Sequence, residues 1–87
     1  MDIIAAHRLA KKYNISATAV AAIVILKEKG RLPIGTVAHI LGNTGSALTS
    51  TADLLAKRGL AERQQSPTDR RVQFLQLTQA GENVIPA

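Results

Sequence analysis

Leu55 to Thr78 reads LAKRGLAERQQSPTDRRVQFLQLT, and this run decides the fold because a helix end, a hairpin and clustered positive charge follow one another without a gap. Arg58 and Gly59 close the helix. Glycine takes the left-handed conformation that ends a helix, and a basic last turn suits the negative end of the helix dipole. Leu60 to Gln65 and Val72 to Leu77 are two short extended runs. Between them, Ser66-Pro67-Thr68-Asp69 has proline where a type I turn needs a preset φ, so the two runs pair as an antiparallel hairpin. Arg70 and Arg71 then sit at the mouth of the loop. A helix running straight into a hairpin with a basic tip is the layout of a winged helix, in which the helix can enter one groove of a duplex while the hairpin reaches the neighbouring one.

Upstream of this run, Ile34, Val37, Ala38 and Leu41 recur at i, i+3, i+4 and i+7, a one-sided apolar stripe on a helix that Gly42 stops. Asn43-Thr44-Gly45 makes a tight polar turn. Ser46 to Arg58 resumes helical spacing with Leu48, Thr51, Ala52 and Leu55 inward, which leaves Ser46, Thr49, Ser50, Asp53 and Lys57 on the outer face. Two short helices joined by a glycine-containing turn form a helix-turn-helix, whose second helix offers its outer face to base edges. Earlier still, Asp2 to Tyr13 reads as a short amphipathic helix through Ile3, Ile4, Ala6 and Ala10. Ser16 is an N-cap for a second helix, Ala17 to Lys29, ended by Gly30. Val20, Ile23, Val24, Ile25 and Leu26 make that helix apolar nearly all round, so it is expected at the centre of the core. Arg31-Leu32-Pro33 is an extended connector with room for one bridge to the hairpin. Past the hairpin, Thr78 caps a last helix, 79 to 85. The fold class expected is mainly α with a small β-hairpin wing, a winged helix-turn-helix spanning residues 1–87 as one domain.

The 87 residues allow one modest core. Eleven Lys and Arg against six Asp and Glu leave a net charge of +5, which favours an anionic partner such as nucleic acid or an acidic protein surface. Charge alone also serves solubility. With no cysteine present, disulfides, thiol catalysis and cysteine-ligated zinc are excluded. The longest apolar run, Ala17 to Leu26, is too short to span a bilayer, and the N-terminus lacks the charged region and cleavage site of a signal peptide. No membrane partner is expected, and the expected location is cytoplasmic. Tyr13 and Phe74 are the only aromatic residues, which argues against a single-strand binder built on stacking platforms.

Catalysis finds little support. His7 and His39 fall on different helices without a carboxylate at metal spacing. Asp53, Glu62 and Asp69 stand among basic residues, which suits ion pairing better than acid chemistry. Gly42 and Gly45 belong to a helix turn with no strand before it, so no phosphate loop is present. Neither an enzyme nor a cofactor or metal is expected.

The segments KRGLAER (57–63), SPTDRR (66–71) and LQLTQAG (75–81), with LPIGTVAHILG (32–42) upstream, resemble the winged helix of the MarR family of bacterial transcription regulators, over roughly Ile15 to Glu82. The resemblance implies helices with a three-stranded sheet, double-stranded DNA as partner, and homodimers on pseudo-palindromes. Carried over by position, it implies Ser46, Thr49, Ser50 and Asp53 facing the major groove and Arg70 or Arg71 the minor groove, with Asp69 bracing the wing arginine. Lys57 and Arg63 are expected to join them on the DNA side. The outer face of Ser46 to Asp53 departs from the family in having no Lys or Arg, where the family commonly places arginine near Ser50, so direct base reading is expected to be weak.

Two functions from different classes stand at this point. One is a duplex DNA-binding transcriptional regulator. The other is a winged-helix module that docks on a larger regulator through Phe74, which Leu75 and Leu77 send to the opposite sheet face, and through the exposed helix face. Local tucking of Phe74 against Arg63 or a lysine stem is the plainer reading of that ring. Charge placement separates the two: a DNA binder needs Lys57, Arg63, Arg70 and Arg71 on one side with the helix 46–58, and a docking module needs an apolar patch there. If a dimer forms, Ile3, Ile4, Val84 and Ile85 are the expected interface.

Overall fold

Burial sorts the helices. The computed structural model describes residues 2–86, and they run α1 (Ile3–Tyr13), α2 (Ala17–Lys29), β1 (Leu32–Pro33), α3 (Ile34–Leu41), α4 (Gly45–Lys57), β2 (Ala61–Gln65), β3 (Gln73–Leu77) and α5 (Gln79–Val84). Each expected element is present, with ends moved by a residue or so. Asp2, Ser16 and Thr78 cap α1, α2 and α5, their side chains accepting from the N–H groups of Ala5, Ala19 and Gly81 at 2.7, 3.0 and 3.1 Å. Such a cap satisfies one of the amides that a helix start leaves open. Asn14 closes α1 in the left-handed conformation, φ 55°.

α2 buries Ala19, Val20, Ala22, Ile23 and Leu26 against the rest of the fold. Val24 and Ile25 stay half-buried, contrary to the expectation of a helix covered all round. They line an apolar groove of about 280 Å³ with Ala6, Val20 and Leu41, and no side chain of α1, which packs against the core through Ala6, Leu9, Ala10 and Tyr13, is fully buried. Among the described residues no single helix is long and apolar enough to cross a membrane; α1 and α2 reach that composition only as a pair bent by 103°.

The sheet has the order β1-β3-β2, all antiparallel. The connector does supply its bridge, with Leu32 opposite Leu75 and Pro33 opposite Phe74. In the hairpin Ala61, Arg63 and Gln65 stand opposite Leu77, Leu75 and Gln73. Period-two alternation therefore puts Arg63 on the same face as buried Leu75, and Phe74 on the other face with Gln64.

Two contacts fasten the ends. Lys27 Nζ donates to the carbonyls of Glu82, at 2.7 Å, and of Ile85, supplying donors to the open end of α5. Gly81 packs so tightly that a Cβ there would lie 1.9 Å from the Leu60 carbonyl oxygen. The apolar residues expected at a dimer interface divide in consequence. Ile3 and Ile4 are exposed at 76% and 66%, but Val84 is 2% exposed and Ile85 packs against the core. Val84 is thus a core residue, not spare surface. Ile40 on α3 is a further exposed apolar side chain, one that the stripe on α3 leaves on the outer side.

Candidate nucleic-acid interface

α4 is positioned by its inner face. Leu48, Thr51, Ala52 and Leu55 are all buried, as the spacing predicts, and Thr51 Oγ1 donates back to the Ala47 carbonyl at 3.2 Å. The helix starts one residue earlier than expected, at Gly45, because Thr44 is its N-cap and accepts from Ala47 N–H at 3.2 Å. Thr44 Oγ1 also pairs with Ser46 Oγ at 3.2 Å. Ser46, Thr49, Ser50, Asp53 and Lys57 are exposed. Thr49 Oγ1 donates to the Gly45 carbonyl at 2.9 Å, so its hydroxyl hydrogen is already committed.

Asp53 lies exposed on the outer face, as the spacing predicts, and has a partner there. Arg63 Nη1, on β2, donates to Asp53 Oδ1. The pair crosses from α4 to the hairpin and leaves neither charge unopposed. Arg63 comes within reach because it shares the helix-facing side of the sheet with Leu75, while its long side chain carries the guanidinium outward past the core.

The loop between β2 and β3 is organised by polar groups. Ser66 is 8% exposed, and its Oγ accepts from the N–H groups of Thr68 and Asp69 at 3.3 and 3.2 Å. This hydroxyl clamp works beside the preset φ of Pro67 that the sequence advertises. Ser66 N–H donates to Val72 O and Val72 N–H to Asp69 O, both at 3.0 Å, so Arg70 and Arg71 occupy the middle of a second turn. Gln65 Nε2 holds the Arg70 carbonyl at 2.6 Å. Asp69 braces Arg71: its Oδ1 accepts from Arg71 Nε at 3.1 Å and from Arg71 N–H at 2.9 Å, and its Oδ2 from Nη2 at 3.2 Å. The Arg71 guanidinium, and next its backbone N–H, hold the Asp69 carboxyl below its ordinary value of 3.8. Among the described residues the Arg70 side chain has no such acceptor.

These elements converge. An open groove of about 640 Å³ runs between the starts of α3 and α4 and the hairpin, with Gly35, Thr36, Thr49, Arg63, Arg70 and Arg71 on its walls. Four of the expected residues thus meet in one place, and Asp53 joins through Arg63. Ser46, Ser50 and Lys57 lie outside its walls. Gly35 and Thr36 had no place in the expected site. The signal was Pro33 itself, which begins α3 without a side-chain cap and so leaves the first amides of that helix without a side-chain acceptor.

On the outer face of the sheet Phe74 is half-buried. The ring is tucked, but under Arg31 and not Arg63 or a lysine: the Arg31 guanidinium lies 4.2 Å from the ring centroid and donates to Gln64 Oε1 at 2.9 Å. Gln64 in turn donates to Gln76 Oε1 at 2.8 Å. The cation over the ring face is a favourable arrangement, and it covers what an apolar docking patch would have to expose.

Helix-turn-helix, three-stranded sheet and basic hairpin tip together define a winged helix-turn-helix protein. The MarR family model matches residues 15–72. The chain therefore belongs to the MarR family. It is 37% identical over 60 residues to the HTH-type transcriptional regulator YhbI of Bacillus subtilis, covering 69% of this chain and 39% of that protein. It is 33% identical over 70 residues to the HTH-type transcriptional regulator MhqR of the same organism, covering 80% and 48%. The chain spans less than half the length of these relatives. The crystal structure of an S. aureus MepR–DNA complex superposes with a TM-score of 0.82 at 19% identity, over 93% of this chain and 67% of that one, which establishes the shared fold.

Proposed function

We propose that this chain binds double-stranded DNA as a cytoplasmic transcriptional regulator, with α4 in the major groove and the β2–β3 loop on the backbone or in the adjacent minor groove. The observation that carries the reading is the groove between α4 and the hairpin, where Arg63, Arg70 and Arg71 stand on one side with the exposed face of α4. A docking module needs an unbroken apolar patch there, and three guanidinium groups stand among the apolar walls of this groove. The uncapped start of α3 adds amides suited to a phosphate at the same edge. The MepR–DNA complex supports the reading by fold, and the regulators YhbI and MhqR by descent.

Ser46, Thr49 and Ser50 are the residues proposed to face the bases, Lys57 the phosphates, and Arg70 the adjacent minor groove, with Arg71 on the backbone beside it within the limits its pairing with Asp69 allows. Asp53 holds Arg63 in position. The test is a salt titration. Replacing Arg70 and Arg71 by alanine should weaken binding to every duplex and lower the log–log salt slope by about 0.9 for each phosphate no longer neutralised. Thr49→Ala and Ser50→Ala should leave the slope alone and narrow the gap between preferred and random DNA. Loss of slope at Thr49 with an unchanged slope at the wing would reverse the groove assignment.

A second copy of the chain is the proposed further partner, since a two-fold assembly places two such helices on successive turns of one duplex face. Ile3 and Ile4 supply exposed apolar surface for it. Sedimentation of Ile4→Asp beside the parent chain tests this: a dimer unaffected by the change uses another surface.

A further inference from the structure

The exposed face of α4 says which duplexes it can read. From Gly45 to Ala52 the helix contains no Arg, Lys, Asn, Gln or His. Guanine is usually recognised in the major groove by a forked Arg or Lys contact, and adenine by a forked Asn or Gln contact. Neither is available in the first two turns. Asp53 could accept from the cytosine amino group, but Arg63 holds it. Thr49 has spent its hydroxyl hydrogen on Gly45, and the Ser46 hydroxyl is paired with Thr44. What the helix still offers is small: the methyl groups of Ala47 and Thr49, the Ser50 hydroxyl beside them, and the Thr49 and Ser46 oxygens as single, unforked acceptors, all on exposed residues. A methyl-bearing face of this kind complements the 5-methyl group of thymine, the one apolar mark in the major groove.

The wing points the same way. Asp69 restrains Arg71 with three hydrogen bonds, so Arg70 is the arginine able to reach beyond the loop. A lone guanidinium gains most from a narrow minor groove, whose negative potential is strongest in A·T tracts. Two independent parts of the surface therefore favour the same base composition.

We propose that the protein selects A·T-rich duplexes, packing thymine methyl groups against Ala47 and Thr49 and inserting Arg70 into a narrow minor groove. The proposal rests on the duplex DNA binding argued above. Two base analogues test it on a duplex selected by the full chain from a random pool. Deoxyuridine in place of thymidine removes only the methyl group, and should weaken binding about four-fold for each methyl contacted. Diaminopurine in place of adenine puts an amino group into the minor groove. It should weaken binding to the parent chain and leave Arg70→Ala indifferent. Selection of G·C-rich duplexes overturns the proposal, as does indifference of the parent chain to either analogue. Absence of binding to any duplex at low salt is a different result, one that removes the DNA-binding reading and this inference with it.

Discussion

α4 and the β2–β3 loop flank the same groove but are held by opposite kinds of force. The helix rests on Leu48, Ala52 and Leu55, each 0% exposed, so its place is set by apolar burial and close packing. The loop has Leu75 and Leu77 at its base only. Its tip is ordered by the Ser66 hydroxyl, the Asp69 carboxylate and the Gln65 amide. A surface meant to read bases gains from the first kind of support, because packed side chains leave few alternative positions. A loop meant to follow a charged backbone gains from the second, because exposed polar bonds can be exchanged for phosphate at small cost.

The contrast breaks most clearly at Leu55. Leu55→Ala should cost about 2–5 kcal/mol, read as a lower denaturant midpoint, and should loosen the helix and the hairpin together because the core is shared. Unfolding of the hairpin alone would show that the two regions are separate units. Next comes Gly81→Ala, where the new methyl group collides with the Leu60 carbonyl. Here the α5 start and the base of β2 must move apart, at about 1–3 kcal/mol, and amide exchange should quicken at Leu60 and Thr78 before it does so in α4. A fully stable alanine variant would mean that α5 shifts freely.

Asp53→Ala sharpens the comparison with a smaller effect. The pair is partly solvated, with Asp53 60% exposed, so stability should fall by under about 1 kcal/mol. Its larger consequence should be in binding: the salt slope rises as Arg63 becomes available to phosphate, while the preference among sequences declines. An unchanged slope would place Arg63 out of reach of the backbone. The smallest effect belongs to pH. Asp69 titrates below its ordinary value of 3.8 in the folded chain, so the bracing of Arg71 is present above the unfolded value and is lost as the pH falls through the folded one. The Arg71 Nε–H resonance should stay constant down to about pH 4 and move only in stronger acid. A midpoint above the ordinary value would contradict the bracing.

Some of the site was readable along the chain because its causes are local. The Arg58-Gly59 helix stop, Ser66-Pro67 and the inward set Leu48, Thr51, Ala52, Leu55 each depend on residues a few positions apart, where propensity and periodicity act directly. The bracing role of Asp69 follows from the resemblance and spans only two residues. Phe74 could be assigned to a sheet face by alternation, but its cover could not, since Arg31 lies far away in sequence and reaches the ring only because Pro33 pairs with Phe74.

The sequence by itself determined the order of helices, the hairpin, the lack of an arginine on the first turns of α4 and the basic residues of the hairpin tip, all consequences of neighbouring residues. Tertiary structure alone decided that Asp53 belongs to Arg63, that Val84 is core while Ile3 is surface, that Lys27 closes α5, and that only glycine fits at position 81. These last four depend on distances between segments far apart in the chain. Such distances arise only when the helices and sheet bury their apolar faces against one another, and no local pattern encodes them.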